Sequence, residues 1–268
     1  MPTIVYRLSW PGTGFGNQLT MAHLTRILND NGISAVFNPH KPVLDLVDVP
    51  IYDPSKAADY IYRRYQGEAG LVGSTWTQRN CDMPALFVYL QALSRKLKTK
   101  ITFDPVRHNH IPVLYKDRNQ PKVDVAICTK TGPWAPCRDW PHFPALKKLF
   151  DKQGISYIDI NERGLRGFDC LDVVAKAKVY LGLETGTSHY VSKKANNKGL
   201  IIQGGFSPFY YWAAPYDYEA ITTRVHCEHR PCFLDRVVMA NGVKCPYNYS
   251  CISAISPEQV FTAVKERV

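Results

Sequence analysis

Glu184-Thr185-Gly186-Thr187-Ser188-His189 sets an acid, three hydroxyls, a glycine and an imidazole in one short stretch. The apolar run Val179-Tyr180-Leu181-Gly182 ahead of it reads as a buried strand, and Tyr190-Val191-Ser192-Lys193 behind it can continue as a helix. A strand-to-helix junction of this composition offers free backbone N–H groups and side-chain donors to a phosphate, the chemistry of nucleotide binding. A second loop of the same general kind, Trp10-Pro11-Gly12-Thr13-Gly14-Phe15-Gly16-Asn17, carries three glycines after the strand expected at residues 3–8.

The elements that must position these residues alternate between strand and helix, the signature of open parallel sheets. A helix is expected from near Asn17, because Met21, Leu24, Ile27 and Leu28 recur at helical spacing and Gly32 stands ready to end it. Ile33–Phe37 reads as a second strand and Pro84–Leu97 as a helix; the stretch from Asn38 to Asn80 gives no clear order. Prolines, asparagines and charges crowd Phe103–Lys122, which reads as an interdomain linker. Beyond it the alternation resumes with strands at 123–128, 155–160, 179–182 and 200–202, helices at 142–153 and 170–177, and Gly204-Gly205 after the last strand. Ser256, Pro257 and Gln259 have the positions of an N-cap, N1 and capping box for a final helix. The domains expected are 1–115, 116–255 and a terminal helix 256–268.

The chain has 268 residues, 45% hydrophobic and 21% charged, which suits a globular enzyme and excludes a disordered one. No apolar run is long enough for a membrane span and the N-terminus lacks a signal sequence, so the expected location is cytoplasmic, or the host cytoplasm for a phage-encoded protein. A net charge of +10 attracts polyanions, or equally serves solubility and small anionic substrates; the basic residues are scattered and form no nucleic-acid arm. Cys227, Cys232, Cys245 and Cys251, with His226 and His229, either hold a structural zinc or are reduced, packed thiols. Cys81, Cys128, Cys137 and Cys170 read as buried small hydrophobes.

Arg138-Asp139-Trp140-Pro141, the helix and strand after it, the Glu184–His189 turn, Gly204-Gly205 and the cysteine-bearing tail resemble, in order and spacing, the bacterial ADP-heptose:lipopolysaccharide heptosyltransferases. The resemblance runs from about Lys130 to Val268, with the glycine loop at 12–16 matching that family's first βα turn. It implies an α/β protein of the GT-B class, two Rossmann-like domains facing a central cleft, with a nucleoside-diphosphate sugar held mainly by the C-terminal one. It also implies an inverting transfer. Carried over, the family's acidic residue falls on Glu184, its phosphate-contacting turn on Thr185, Gly186, Thr187 and Ser188, its closing histidine on His189, and its basic residue before Trp-Pro on Arg138. Gly204 and Gly205 fall beside the donor, with Phe206–Trp212 as a cover or a cleft-closing loop. Gly14, Gly16 and Asn17 fall on the acceptor-side loop.

One departure concerns the base. Where that family has an aspartate this chain has Asn17, whose amide can orient a hydroxyl but cannot take its proton. His23, His40, Asp82 and Asp139 are the other groups considered. A diphosphate leaving group gathers negative charge as the glycosidic bond breaks, and helix-terminal amides, hydroxyls and one arginine can meet it, so no metal and no cofactor beyond the sugar nucleotide is expected. The segment between glycine loop and linker is shorter than in those enzymes, which points to a different acceptor, lipopolysaccharide core or another polyanion. The alternatives are a phage-type DNA glycosyltransferase acting on hydroxymethylated bases, for which Tyr62, Tyr65, Trp76, Trp134 and Trp140 could stack, and an inactive sugar-nucleotide or nucleic-acid binding protein.

Overall fold

The computed structural model describes residues 3–9, 15–39, 45–56, 60–66, 85–108, 112–132, 136–188, 199–206, 218–223, 225, 227–232, 238, 242 and 244–268. The chain divides into two compact units, Met1–Tyr115 and Lys116–Val268.

In the first unit a three-stranded parallel sheet has the order β2-β1-β3, with β1 at Thr3–Ser9, β2 at Ala35–Phe37 and β3 at Tyr60–Gln66. Helix α1, Phe15–Asp30, buries Leu19, Met21, Leu24, Ile27 and Leu28, the stripe that its 3.6-residue period requires. It ends as Gly32 turns to φ 73°, and Asn29 ties the helix end to β2 by donating to the Ala35 carbonyl and accepting from the Ala35 amide. Helix α2 spans Ala85–Leu97. Strand β3 was not anticipated. Arg63-Arg64 breaks its apolar pattern, and only pairing along the full length of β1 identifies it.

The stretch expected as a linker is bonded to each unit in turn. His108 is buried, with Nε2 3.1 Å from Asp30 and Nδ1 accepting from the Asp104 amide, and the Leu114 amide donates to the Leu46 carbonyl. Farther on, the amides of Arg118 and Gln120 donate to the buried Asp172 carboxylate of the second unit at 2.9 and 3.0 Å.

The second unit holds a five-stranded, all-parallel sheet in the order β5-β4-β6-β7-β8. Its strands are β4 Val125–Ile127, β5 Tyr157–Asp159, β6 Val179–Leu183, β7 Gly199–Gln203 and β8 Tyr218–Thr222. Every residue of β4, β6 and β7 is buried, as a parallel sheet covered on both faces demands. Helix α3, Phe143–Gln153, packs Leu146 and Phe150 into the core of this sheet, and α4, Gly167–Lys176, buries Leu171, Val173 and Val174. A short α5, Ser250–Ser253, precedes α6, Pro257–Lys265, whose Val260 and Val264 join the same core. The terminal helix is therefore part of the second unit. The Ser256 hydroxyl accepts from the Gln259 amide as an N-cap, but the Gln259 side chain donates to the Thr222 carbonyl, so the capping box is half made.

Candidate functional site

Strand order fixes where the second unit can bind a ligand. β4 leads through α3 to β5 on one side, and the chain then crosses back through α4 to β6 on the other side of β4. Such a reversal opens a crevice outside the carboxyl ends of the two inner strands. Two loops line it, Cys128–Gly132 after β4 and Glu184–Ser188 after β6. They touch where Cys128 Sγ lies 3.8 Å from Thr185 Oγ1.

The first of these loops escaped sequence reasoning, although a Thr-Lys-Thr-Gly run directly after an apolar strand was its signal. The amides of Thr129 and Lys130 donate to Asn161 Oδ1 at 2.7 and 3.0 Å, and the Thr131 amide and hydroxyl donate to Asp139 Oδ1 at 3.0 and 2.6 Å. Thr129 Oγ1 donates to the buried Asp159 carboxylate, which also takes the Lys147 ammonium at 2.6 Å. Lys130 is thereby carried, exposed, on a backbone fixed from both ends.

In the second loop the hydroxyls turn inward. Ser188 is 4% exposed; its Oγ donates to the Leu183 carbonyl and lies 3.0 Å from the Tyr180 hydroxyl and 3.4 Å from Thr185 Oγ1. Tyr180 is fully buried, and burial raises its pKa well above the ordinary tyrosine value. Its ring lies across Gly182, where a Cβ would stand 2.3 Å from the phenol oxygen, so any side chain at this position would have to displace the Tyr180 ring. Gly186 and Thr187 complete the turn, half-buried.

Arg138 ends a 3-10 turn, Pro136–Arg138, and is 9% exposed, so it is no solvated surface arginine. Its Nη1 donates to the Glu184 carbonyl at 2.5 Å and its guanidinium carbon lies 5.1 Å from the centre of the Phe206 ring. Burial lowers its pKa, and the Glu184 carboxylate opposes that shift. Glu184 Oε2 is itself shielded from solvent. Trp140, one of the aromatics that could stack under the DNA alternative, is structural: it is buried, donates through Nε1 to the Ile255 carbonyl at 2.9 Å, and packs edge-on to Phe143.

Beyond β7, Gly204 faces Ile252, and the aliphatic part of Arg230 lies over Gly205, where a Cβ would come within 2.6 Å of Arg230 Cγ. Arg230 Nη2 donates to the Gly204 carbonyl at 3.1 Å. This second arginine was missed because nothing in the spacing of an irregular tail points back to a strand end. In the first unit Gly16 and Asn17 lie half-buried in the first turn of α1, and His23 is wholly buried farther along it. Gly14, His189, His40, Asp82, Trp76, Trp134, His226 and residues 207–212 lie outside the described residues, as do the side chains of Tyr62 and Tyr65.

Cys137 and Cys232 pack with Phe206 and Val238, and burial pushes each thiol up to about 12. The seven described cysteines are free thiols, and among the described residues no three His, Cys, Asp or Glu side chains gather as a metal site would require.

No family profile matches the sequence, and the curated proteins give no match. Solved structures do. The iron-containing dodecameric glycosyltransferase TibC from enterotoxigenic E. coli H10407 superposes with a TM-score of 0.66 at 14% identity, covering 99% of this chain and 79% of its own. A glycosyl transferase family 9 protein from Veillonella parvula DSM 2008 gives 0.59 at 11% identity, covering 98% and 96% of the two chains. E. coli heptosyltransferase WaaC with ADP-2-deoxy-2-fluoro heptose gives 0.51 at 11% identity, covering 99% and 100%. Two parallel α/β units in one chain, superposing over nearly its whole length on these enzymes, give this protein the GT-B fold.

Proposed function

We propose that this chain is a glycosyltransferase that moves a sugar from a nucleoside-diphosphate donor to an acceptor hydroxyl, with inversion and without a metal ion. The observation that carries the reading is the strand-order reversal at β4/β6, where a loop bearing Lys130 meets a glycine turn on the GT-B fold. TibC has been solved with ADP-D-beta-D-heptose, and WaaC with a fluorinated analogue of an ADP-heptose, which favours a diphosphate-linked sugar as the ligand class.

Inversion needs a single displacement. The acceptor oxygen attacks the anomeric carbon, the bond from that carbon to the diphosphate breaks, and its electron pair stays on the departing phosphate oxygen. Donors aimed at that oxygen lower the barrier more than they tighten ground-state binding. With the hydroxyls of Thr185 and Ser188 engaged inside the turn, the backbone N–H groups of Thr185–Ser188 and the Lys130 ammonium are assigned this task. Gly186 and Thr187 let the backbone approach, and His189, next in the sequence, is assigned to the donor as well. Arg138 is a positioning residue: it holds the Glu184 carbonyl and places a buried positive charge behind the turn, while the Glu184 carboxylate accepts from a donor hydroxyl. Gly204 and Gly205, braced by Arg230, keep the next strand end low enough for the nucleoside. On the first unit, Gly14 and Gly16 are assigned to the acceptor side and Asn17 orients the acceptor hydroxyl, whose proton leaves to another base or to solvent.

Thermal melting with ADP, UDP and GDP and their sugars tests the donor half. Ligand at a hundred times its Kd adds about 2.7 kcal/mol, a rise of several degrees at this length. Mass spectrometry of lipopolysaccharide core and hydroxymethylated DNA, after incubation with the stabilising donor, then tests the acceptor. If no nucleotide or nucleotide sugar shifts the melting temperature, the reading fails.

A further inference from the structure

Anion-binding loops at strand ends commonly present free backbone N–H groups to their ligand. The loop after β4 spends them elsewhere. The Thr129 and Lys130 amides both donate to Asn161 Oδ1, at 2.7 and 3.0 Å, and the Thr131 amide donates to Asp139 Oδ1 at 3.0 Å, so three successive N–H groups are used inside the protein. The cation that this loop carries toward an anion is the exposed Lys130 side chain. Its aim is set by the backbone beneath it, which Asn161 grips at residues 129 and 130.

Asn161 is itself held. It follows β5, where the buried Asp159 carboxylate accepts the amides of Asn161 and Glu162 at 2.9 and 3.1 Å, and the Gly164 amide returns to the Asn161 carbonyl at 3.1 Å. The same carboxylate takes the Thr129 hydroxyl and the Lys147 ammonium, 3.0 and 2.6 Å away, so its charge is met within the protein. Hydrogen bonding alone does not require an amide side chain at 161, since a carboxylate would accept the same two N–H groups more strongly. It would also set an added negative charge against the backbone of Lys130, drawing the ammonium back and repelling a diphosphate. The uncharged acceptor avoids both.

We propose that Asn161 is a positioning residue of the donor site. Its side-chain oxygen fixes the backbone from which Lys130 reaches the diphosphate, and its lack of charge keeps that approach open to a polyanion. The role rests on the donor reading given above and acts through Lys130 rather than by touching the ligand.

Two measurements on the full chain test it. In Asn161→Ala, amide exchange at Thr129 and Lys130, followed by NMR without ligand, should accelerate on the order of tenfold while Thr131 keeps its protection by Asp139. By calorimetry, Asn161→Ala should bind ADP, UDP or GDP, whichever the wild type takes, roughly fivefold more weakly, and should cost nothing further once Lys130→Ala is present. Asn161→Asp should keep the slow exchange and the melting temperature yet bind the same nucleotide roughly fivefold more weakly at low salt, a gap that closes at high salt. A residue that only braced the fold would leave binding by this variant unchanged. Unchanged exchange in Asn161→Ala, additive losses in the double variant, fast exchange in Asn161→Asp, or wild-type nucleotide affinity in Asn161→Asp overturns the proposal and leaves the donor reading standing. Should the wild type bind no nucleotide, both fall, even where exchange shows the grip on Thr129 and Lys130 to be real.

Discussion

Arg138 spends one N–H on the Glu184 carbonyl and lays its face near Phe206, so its side chain holds the turn in place as much as it charges it. Replacing it with alanine removes both effects. Transfer by Arg138→Ala should fall well over tenfold, since the charge-assisted hydrogen bond that holds the turn is worth about 1.5–3 kcal/mol and the turn's aim at the leaving group depends on it. Arg138→Lys keeps the charge without the planar fork and should recover part of kcat while KM for the donor changes little. Steady-state kinetics at a temperature where all variants remain folded separates this from loss of structure. Lys130→Ala should cost a similar factor. Asn17 is argued differently: Asn17→Ala should slow transfer, whereas Asn17→Asp should equal or exceed wild type and gain a carboxylate limb in its pH profile. An Asp variant as slow as the Ala one would remove residue 17 from the acceptor site.

Elements of the second unit are clipped together at the amino end of the sheet as well as at its binding end. Asp124, just before β4, accepts the Ser156 amide and hydroxyl ahead of β5 and pairs with Lys178 ahead of β6 at 2.8 Å. The Lys178 ammonium, then Ser156, holds its carboxyl down from 3.8 to about 2. A depressed folded-state value means stability that is fully present above the unfolded value and lost as pH falls toward 2. Asp124→Asn should therefore lose on the order of 1 kcal/mol at neutral pH, the exposed lysine being screened, and lack the wild type's decline between about pH 4 and 2 in denaturant titrations. Ser256→Ala should cost about 1 kcal/mol through the lost α6 cap. Cap, proline and apolar stripe are local signals, and they made α6, α3 and β6 legible in the sequence. β3 and β8 were not, because their identity rests on hydrogen bonds to β1 and β7 that no short window contains. At the turn, residue types announced a site, but the inward aim of Ser188 depends on a tyrosine hydroxyl of the strand that leads into it, folded back beneath the turn.

For the whole molecule, the division at Tyr115/Lys116 gives each unit its own parallel sheet. A fragment of residues 116–268 carries the complete five-stranded sheet, the α3/α6 core and the anchored stretch from Arg118 to Gln120. It should unfold cooperatively and still show the nucleotide-dependent rise in melting temperature, checked by calorimetry, while catalysing no transfer. Loss of nucleotide binding in a well-folded fragment would place the donor site elsewhere. Among the described residues no helix is long and apolar enough to cross a membrane.

The Tyr180 ring lying over Gly182 has a consequence for how this protein can change. Neither residue is free to drift alone, since any side chain at 182 collides with the ring, while losing the phenol takes a hydrogen bond from the Ser188 hydroxyl that anchors the turn. Homologous chains should thus vary at 180 and 182 jointly, and a larger residue introduced at 182 should be rescued only by a second substitution that shortens the side chain at 180.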